Sequence, residues 1–391
     1  MKGNLAMMAF AALFLVTGCK GFWDAPDNGG GGGTNLSGNI YVVNAQTSQI
    51  AAYAVNSKGE LTALSGSPYT LPGSVLGNPA ITVSPNNQFL YVSTANGIYL
   101  YTIASNGALS LGNSSAPVST DQAVSMQVDS TNSWLVNVSA AAPYIYAIAI
   151  SPTTGTITSK TEQFAQLPSA TVRQVVISPD NSRLFIAMGT GGTATIPFSA
   201  GSTNPIGAIS TIGVKNAGGA AISVAVDPLG LLGQSTPRVF YIGETAAVSG
   251  SNSGGVRVFT FNTSTEVSGS PYATQGLAPY AILPKASGDY VYVANRQTSN
   301  GSTGVISGFS IASSGSSYAL TALTSTFSAG TNPQAMVQDS TGTYVFATNY
   351  GGNPDLSGYT FSTTDAGALV SAFSSATGTA PTLATTLAAS H

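Results

Sequence analysis

From Ile40 to the end of the chain, apolar and polar residues alternate with a period of two in short runs, and clusters rich in Gly, Pro, Ser or Asn separate the runs. That pattern predicts strands with alternate side chains buried. The first stretch reads Ile40–Val43, Ile50–Val55 and Leu61–Leu64, punctuated by Ser57-Lys58-Gly59 and Ser67-Pro68. The runs recur as a larger unit: a Pro-led apolar run, a polar turn, a second run with an aromatic-Val pair, then Gly/Ser-rich sequence. Clear copies are Asn78-Pro79-Ala80-Ile81-Thr82-Val83-Ser84-Pro85 before Leu90-Tyr91-Val92, and Ala278-Pro279-Tyr280-Ala281-Ile282-Leu283 before Val291-Tyr292-Val293. Taking the aromatic or its stand-in as anchor gives Tyr41, Tyr91, Leu135, Phe185, Phe240, Tyr292 and Phe346, at intervals of 44 to 55 residues. A period near 50 points to propeller blades or another repeat array. Gly66-Ser67-Pro68-Tyr69, repeated at Gly269-Ser270-Pro271-Tyr272, supports the register.

Each unit holds four candidate strands, but the first lacks its innermost one. The C-terminal stretch Ala380-Pro381-Thr382-Leu383-Ala384 repeats the Pro-led opening with nothing after it, and would complete the first unit. The expectation is an all-β, seven-bladed propeller over residues 38–391, with four-stranded blades and a ring closed by the C-terminal strand, so that only short sheet edges remain.

Composition narrows the partners. Charged residues make up only 6% of the 391, and the formal net charge is -3. With no basic footprint, nucleic acid is excluded as an expected partner. The sole histidine is His391, which argues against a Ser-His-Asp triad or a His-rich metal site. Gly189 to Gly192 lacks the Lys and helix start of a phosphate loop. No cofactor and no metal are expected.

At the N-terminus, Lys2 precedes an apolar stretch, Leu5 to Val16, too short to span a bilayer and suited to a secretion signal. It leads into Val16-Thr17-Gly18-Cys19, and Cys19 is the only cysteine. This segment resembles a bacterial lipoprotein lipobox. The resemblance implies a signal peptide over 1–18, lipidation of Cys19, a Gly-rich tether over 19–37 and, with Lys20 after the Cys, sorting to the outer membrane. The tether would span about 25 Å. The membrane would then be met through the lipid alone, by a propeller that acts as a monomer.

Among the acids, Asp129, Asp180, Asp227, Asp289 and Asp339 fall in the turn between the first two strands of successive units, where Asp bonds its own backbone. Starts of innermost strands and ends of second strands emerge together on the opposite face, near the channel. Arg173 starts an innermost strand, while Glu244 and Arg296 end second strands. They would direct two guanidiniums and a carboxylate toward one channel mouth, able to hold an anionic or polyhydroxylated ligand.

The repeat, with Ile-Ser-Pro-Asp at Ile177 to Asp180, Leu-Tyr-Val at Leu90 to Val92 and Tyr-Val-Ala-Asn at Tyr292 to Asn295, resembles the seven-bladed lactonase-like propellers. That family includes 6-phosphogluconolactonases, carboxymuconate cycloisomerases and Tyr-Val-Thr-Asn repeat proteins. Val291 to Arg296 is similar to the segment carrying an active-site Arg in the enzymes, and Phe240 to Glu244 resembles the segment carrying their catalytic Glu. Their Pro-Arg-His opening is not matched: alignment on Pro228 puts Ile222 and Ser223 at the Arg and His positions, and the preceding unit offers Arg173-Gln174. The resemblance thus implies Glu244 and Arg296 as catalytic candidates, with Arg173, Gln174, Ser223, Glu244 and Arg296 as ligand-binding candidates. The expected function is an envelope binding module for a sugar-like or acidic small molecule or for an envelope protein. Alternatives are a lactone hydrolase or cycloisomerase and a purely structural envelope protein.

Overall fold

The computed structural model describes residues 36–75, 77, 79–158, 163–169, 171–228, 236–249, 254–297, 303–314, 317–378 and 383–390. The expected signal peptide, Cys19 and nearly all of the tether lie outside the described residues, as do Pro381 and His391.

Seven antiparallel sheets follow one another along the chain, and each steps outward from an innermost strand. The innermost strands are Ile81–Val83 (blade 2), Ala123–Val128 (blade 3), Gln174–Ile177 (blade 4), Ala220–Val226 (blade 5), Pro279–Pro284 (blade 6) and Pro333–Gln338 (blade 7). Blade 1 takes its innermost strand, Ala384–Ala389, from the far end of the chain, pairing Ala389 with Ile40 and Leu387 with Val42. The expected ring and its closure are both present. Short extra strands, Tyr69–Thr70 and Phe327–Thr331, widen blades 1 and 6. The repeated tetrapeptide plays one role twice: Ser67 Oγ accepts the Ala52 N–H at 2.9 Å, and Ser270 Oγ accepts the Val258 N–H at 3.0 Å.

Strand pairing corrects two of the seven anchors. Tyr91 lies opposite Thr82, Phe185 opposite Val176 and Tyr292 opposite Leu283; the matching residues in blades 3 and 5 are Val136, opposite Gln127, and Tyr241, opposite Ala225. Leu135 and Phe240 therefore sit one residue early. In a strand that slip inverts the face, and the core shows it. Seven buried apolar clusters lie between successive blades, and each combines the anchor of one blade with the residue before the anchor of the next. Examples are Tyr41 with Leu90, Tyr91 with Leu135, Phe185 with Phe240 and Tyr241 with Val291. Each such buried side chain contributes about 1.5–3 kcal/mol, so adhesion between blades is spread around the ring.

Tyrosine anchors add polar staples: Tyr41, Tyr91 and Tyr292 donate their hydroxyls to the carbonyls of Gly107, Gly155 and Gly367 at 2.8, 2.6 and 2.7 Å, each in an outer hairpin of the next blade. Gly367 has φ +80°, and a Cβ there would stand 2.1 Å from the Tyr290 ring, so the position requires glycine. Asp129, Asp180 and Asp339 bond the turn backbone as expected, whereas Asp227 is held chiefly by Arg238 and Asp289 by Lys285. Asp129 Oδ1 accepts the N–H groups of Ser133 and Trp134 at 2.8 and 2.6 Å, and Asp339 Oδ1 accepts those of Thr343 and Tyr344 at the same distances.

Candidate functional site

All seven innermost strands line one cavity of about 780 Å³ along the ring axis. Arg173, Tyr280 and Gln334 line it where the strands begin, whereas Ser130, Asn181, Ser340 and Thr341 line it at the turn end. Among the described lining residues Arg173 is the one cation and Asp339, at the turn end, the one carboxylate. The channel is thus electrostatically asymmetric, with its positive end at the strand starts.

Arg173 is exposed and forms no ion pair among the described residues. Arg296 follows the second strand of blade 6 and reaches the same end through Tyr280. Its Nη1 donates to the Tyr280 hydroxyl at 2.9 Å, and its guanidinium lies 4.9 Å from the Tyr280 ring centroid and 5.8 Å from that of Tyr350. Tyr350 occupies in blade 7 the place that Arg296 holds in blade 6, since each follows the Asn that ends a second strand. Aromatic faces hold the cation electrostatically without neutralising it. Neither Tyr280 nor Tyr350 stands among the candidates read from the sequence, although Tyr280 follows the Pro that opens its strand.

Gln174 and Ser223 are engaged with the backbone of neighbouring blades. Gln174 Oε1 accepts the Val224 N–H of blade 5 at 2.9 Å, and Ser223, fully buried, donates its hydroxyl to the Pro279 carbonyl of blade 6 at 2.6 Å. Ser125 Oγ and Gln127 Oε1 of blade 3 likewise accept from Val175 and Ile177 of blade 4. An innermost strand exposes one edge of unpaired amides to the channel, and side chains from the preceding blade cover several of them. Gln174 lines the cavity; Ser223 does not.

Glu244 also departs from its expected place at the mouth. It is 1% exposed and absent from the channel lining. Its Oε1 accepts from Arg257 Nη1 at 2.8 Å, and its Oε2 accepts the Lys215 N–H at 2.9 Å. Arg257 lies on the next strand opposite Ile242, close enough to Glu244 for a diagonal cross-strand pair. Arg257 also bonds Glu266 through Nε and Nη2 at 3.1 and 3.0 Å and the Gly213 carbonyl at 2.7 Å, while its guanidinium lies 4.8 Å from the Phe259 centroid. Lys215 Nζ joins Glu266 at 3.0 Å. Burial pushes the Glu266 carboxyl up, but the bonds from Arg257, Lys215 and Ser270 outweigh it and hold the pKa below the ordinary range.

The strand register explains this arrangement. Three residues beyond each anchor, the position held by Glu244 in blade 5 is Asn44 in blade 1, Asn295 in blade 6 and Asn349 in blade 7. In blade 6 Asn295 Nδ2 reaches Ser307 Oγ at 3.0 Å, and in blade 7 Asn349 Nδ2 reaches Ser357 Oγ at 2.8 Å. Ser307 and Ser357 hold the place of Arg257, opposite the residue after the anchor. Each of these residues also ties the strand end to the connection arriving from the previous blade: Glu244 to Lys215, Asn295 to the Thr274 carbonyl, Asn349 to the Gly330 N–H. Glu244 and Arg257 thus form the charged version of a clasp that is neutral in blades 6 and 7.

Seven four-stranded blades around an axial channel, cationic at one end, define the molecule as a β-propeller with a candidate anion-binding mouth. The chain belongs to the family described as Lactonase, 7-bladed beta-propeller, whose model matches residues 35–177 and 239–382. Between the two matched stretches lie the outer strands of blade 4 and the innermost strand of blade 5, with Ile222 and Ser223. The fold is similar to that of a putative 6-phosphogluconolactonase from Bacteroides fragilis, at 12% identity over 91% of this chain and 98% of that one, with a TM-score of 0.65. It is also similar to a putative 6-phosphogluconolactonase from Bacteroides uniformis (14% identity, 90% and 97% covered, TM-score 0.66) and to the periplasmic gluconolactonase of Pseudomonas aeruginosa (16%, 90% and 98%, 0.61). No curated protein matches the sequence significantly. At these identities the structural likeness speaks for the fold alone.

Proposed function

We propose that the protein is a monomeric propeller, tethered to the bacterial outer membrane through a lipidated Cys19, that binds an acidic small molecule at the Arg173–Tyr280–Arg296 mouth of its channel. The observation that carries this reading is the Arg173 guanidinium in the channel lining and that of Arg296 behind the lining Tyr280, both unpaired with any carboxylate among the described residues. A carboxylate ligand can be held by both, and hydroxyl groups beside it find Gln334 and the Tyr280 phenol. Calorimetry with gluconate tests the reading: the parent should bind it, and Arg173→Gln/Arg296→Gln should bind at least tenfold more weakly. Equal affinity in the two proteins removes the site.

A lactone hydrolase or cycloisomerase is the second reading, favoured by family membership and by likeness to a protein described as a gluconolactonase. It requires Glu244 as base, which would have to leave Arg257 and Lys215. On the reading preferred here, aldonolactone hydrolysis in a pH-stat stays at background. Turnover that vanishes in Glu244→Gln while the fold persists establishes the enzyme instead. For the anchor, radioactive palmitate should label the parent expressed in bacteria but not Cys19→Ser.

A further inference from the structure

The channel below the arginine mouth is walled differently from a sugar site. Ile81, Met126, Val175, Ile282, Met336 and Leu387, one from each of six blades, back the cavity, although each is buried and packs chiefly into the apolar clusters between blades. The next residue along is a partly exposed Val176, Leu283 or Val337 in blades 4, 6 and 7. Polar side chains also enter this stretch, and several of their acceptors are occupied. Gln338 accepts the Ala286 N–H at 2.9 Å and donates to the Gly342 carbonyl at 2.7 Å, and the acceptors of Gln127 and Gln174 are taken by Ile177 and Val224. From Arg173 to Ser178 the wall runs about 17 Å. A volume of about 780 Å³ falls in the range of sites that take small molecules with an apolar body and a few polar contacts.

We infer that the ligand of this site is an amphiphilic carboxylate: an anionic head at Arg173 and Arg296, and an unbranched alkyl chain down the channel. The inference rests on the proposed anion site and specifies what that site takes. Charge sets the direction, because the lining carboxylate, Asp339, stands at the opposite end and disfavours the head there. Hydroxyls laid against Val176, Leu283 and Val337 would face apolar side chains, whereas each methylene placed there is removed from water.

Titrations of the purified full-length protein with gluconate, hexanoate, octanoate and decanoate, below their micelle concentrations, separate the cases. The expected result is affinity that rises roughly tenfold for each two methylenes, with gluconate weakest. Val176→Gln/Leu283→Gln should abolish the chain-length dependence while gluconate still binds, and Arg173→Gln/Arg296→Gln should weaken every ligand. Val176→Thr serves in place of the double glutamine variant if that variant melts early. Gluconate binding with no gain from chain length overturns the amphiphile inference and leaves the anion site standing. No binding by any carboxylate overturns both. Chain-length dependence that survives in the channel variants places the alkyl chain elsewhere and also overturns the inference.

Discussion

In blade 6 the second strand ends on Asn295, whose amide bonds Ser307 on the next strand and Thr274 in the incoming connection; in blade 5 the same two strand positions hold Glu244 and Arg257, and the incoming connection supplies Lys215. One clasp is neutral and compact, the other ionic and extended through Glu266. The comparison shows that a buried carboxylate in this fold can be a mechanical part. Its charge follows from the partner across the strand, and chemistry at the channel need not enter. Blade 1 shows the pairing from the other side: Asn44 lies diagonal to a position held by Ala51, and its Nδ2 has no partner among the described residues.

Removing one half of the ionic clasp should have the largest effect. Glu244→Ala leaves Arg257, 7% exposed, with one carboxylate instead of two, and breaking a buried pair costs about 3–5 kcal/mol. Denaturant melts should show that loss, and a change below about 1 kcal/mol would mean that the pair is not buried in solution. Asn295→Ala removes neutral bonds only and should cost about 1–3 kcal/mol by the same measurement. A larger loss than in Glu244→Ala would reverse the comparison. Rebuilding the neutral clasp in blade 5 with Glu244→Asn/Arg257→Ser should recover much of what Glu244→Ala loses, since no uncompensated charge remains.

The same swap tests acid sensitivity, the smallest effect. A carboxyl whose folded pKa is lowered contributes stability that is complete above its unfolded value, about 4.3, and that fades as pH falls through the folded value. Arg257 supplies part of the lowering at Glu266. Acidification below about pH 4.3 should therefore reduce the melting temperature of the parent more than that of the swap. Parallel curves would show that Arg257 does not act on Glu266.

Much of the architecture was legible in the sequence. The repeat period, the orphan C-terminal strand and three of the five turn aspartates follow from local pattern, and each appears in the ring; Asp227 and Asp289 form ion pairs that the pattern did not announce. The anchors of blades 3 and 5 were not legible, because Leu135-Val136 and Phe240-Tyr241 each offer two apolar neighbours, and alternation alone does not say which one faces the following blade. Only cross-strand pairing does. The site was legible in part. Arg173 comes to the channel end as strand topology suggests and Arg296 stands behind Tyr280 there, but the one-residue slip at Phe240 disguised Glu244 as a residue beyond the clasp. A signal did exist: Arg257 stands between Val256 and Val258 inside an apolar strand, and a buried arginine requires an anionic partner nearby.

The most direct test of the account is gluconate binding by Glu244→Asn/Arg257→Ser, measured by calorimetry beside its melting curve. If Glu244 serves the clasp and the mouth belongs to Arg173 and Arg296, the swapped protein melts cooperatively and binds gluconate with an affinity within about threefold of the parent, a difference of less than 1 kcal/mol. Cooperative melting with binding lost would place Glu244 in the ligand site and contradict the account.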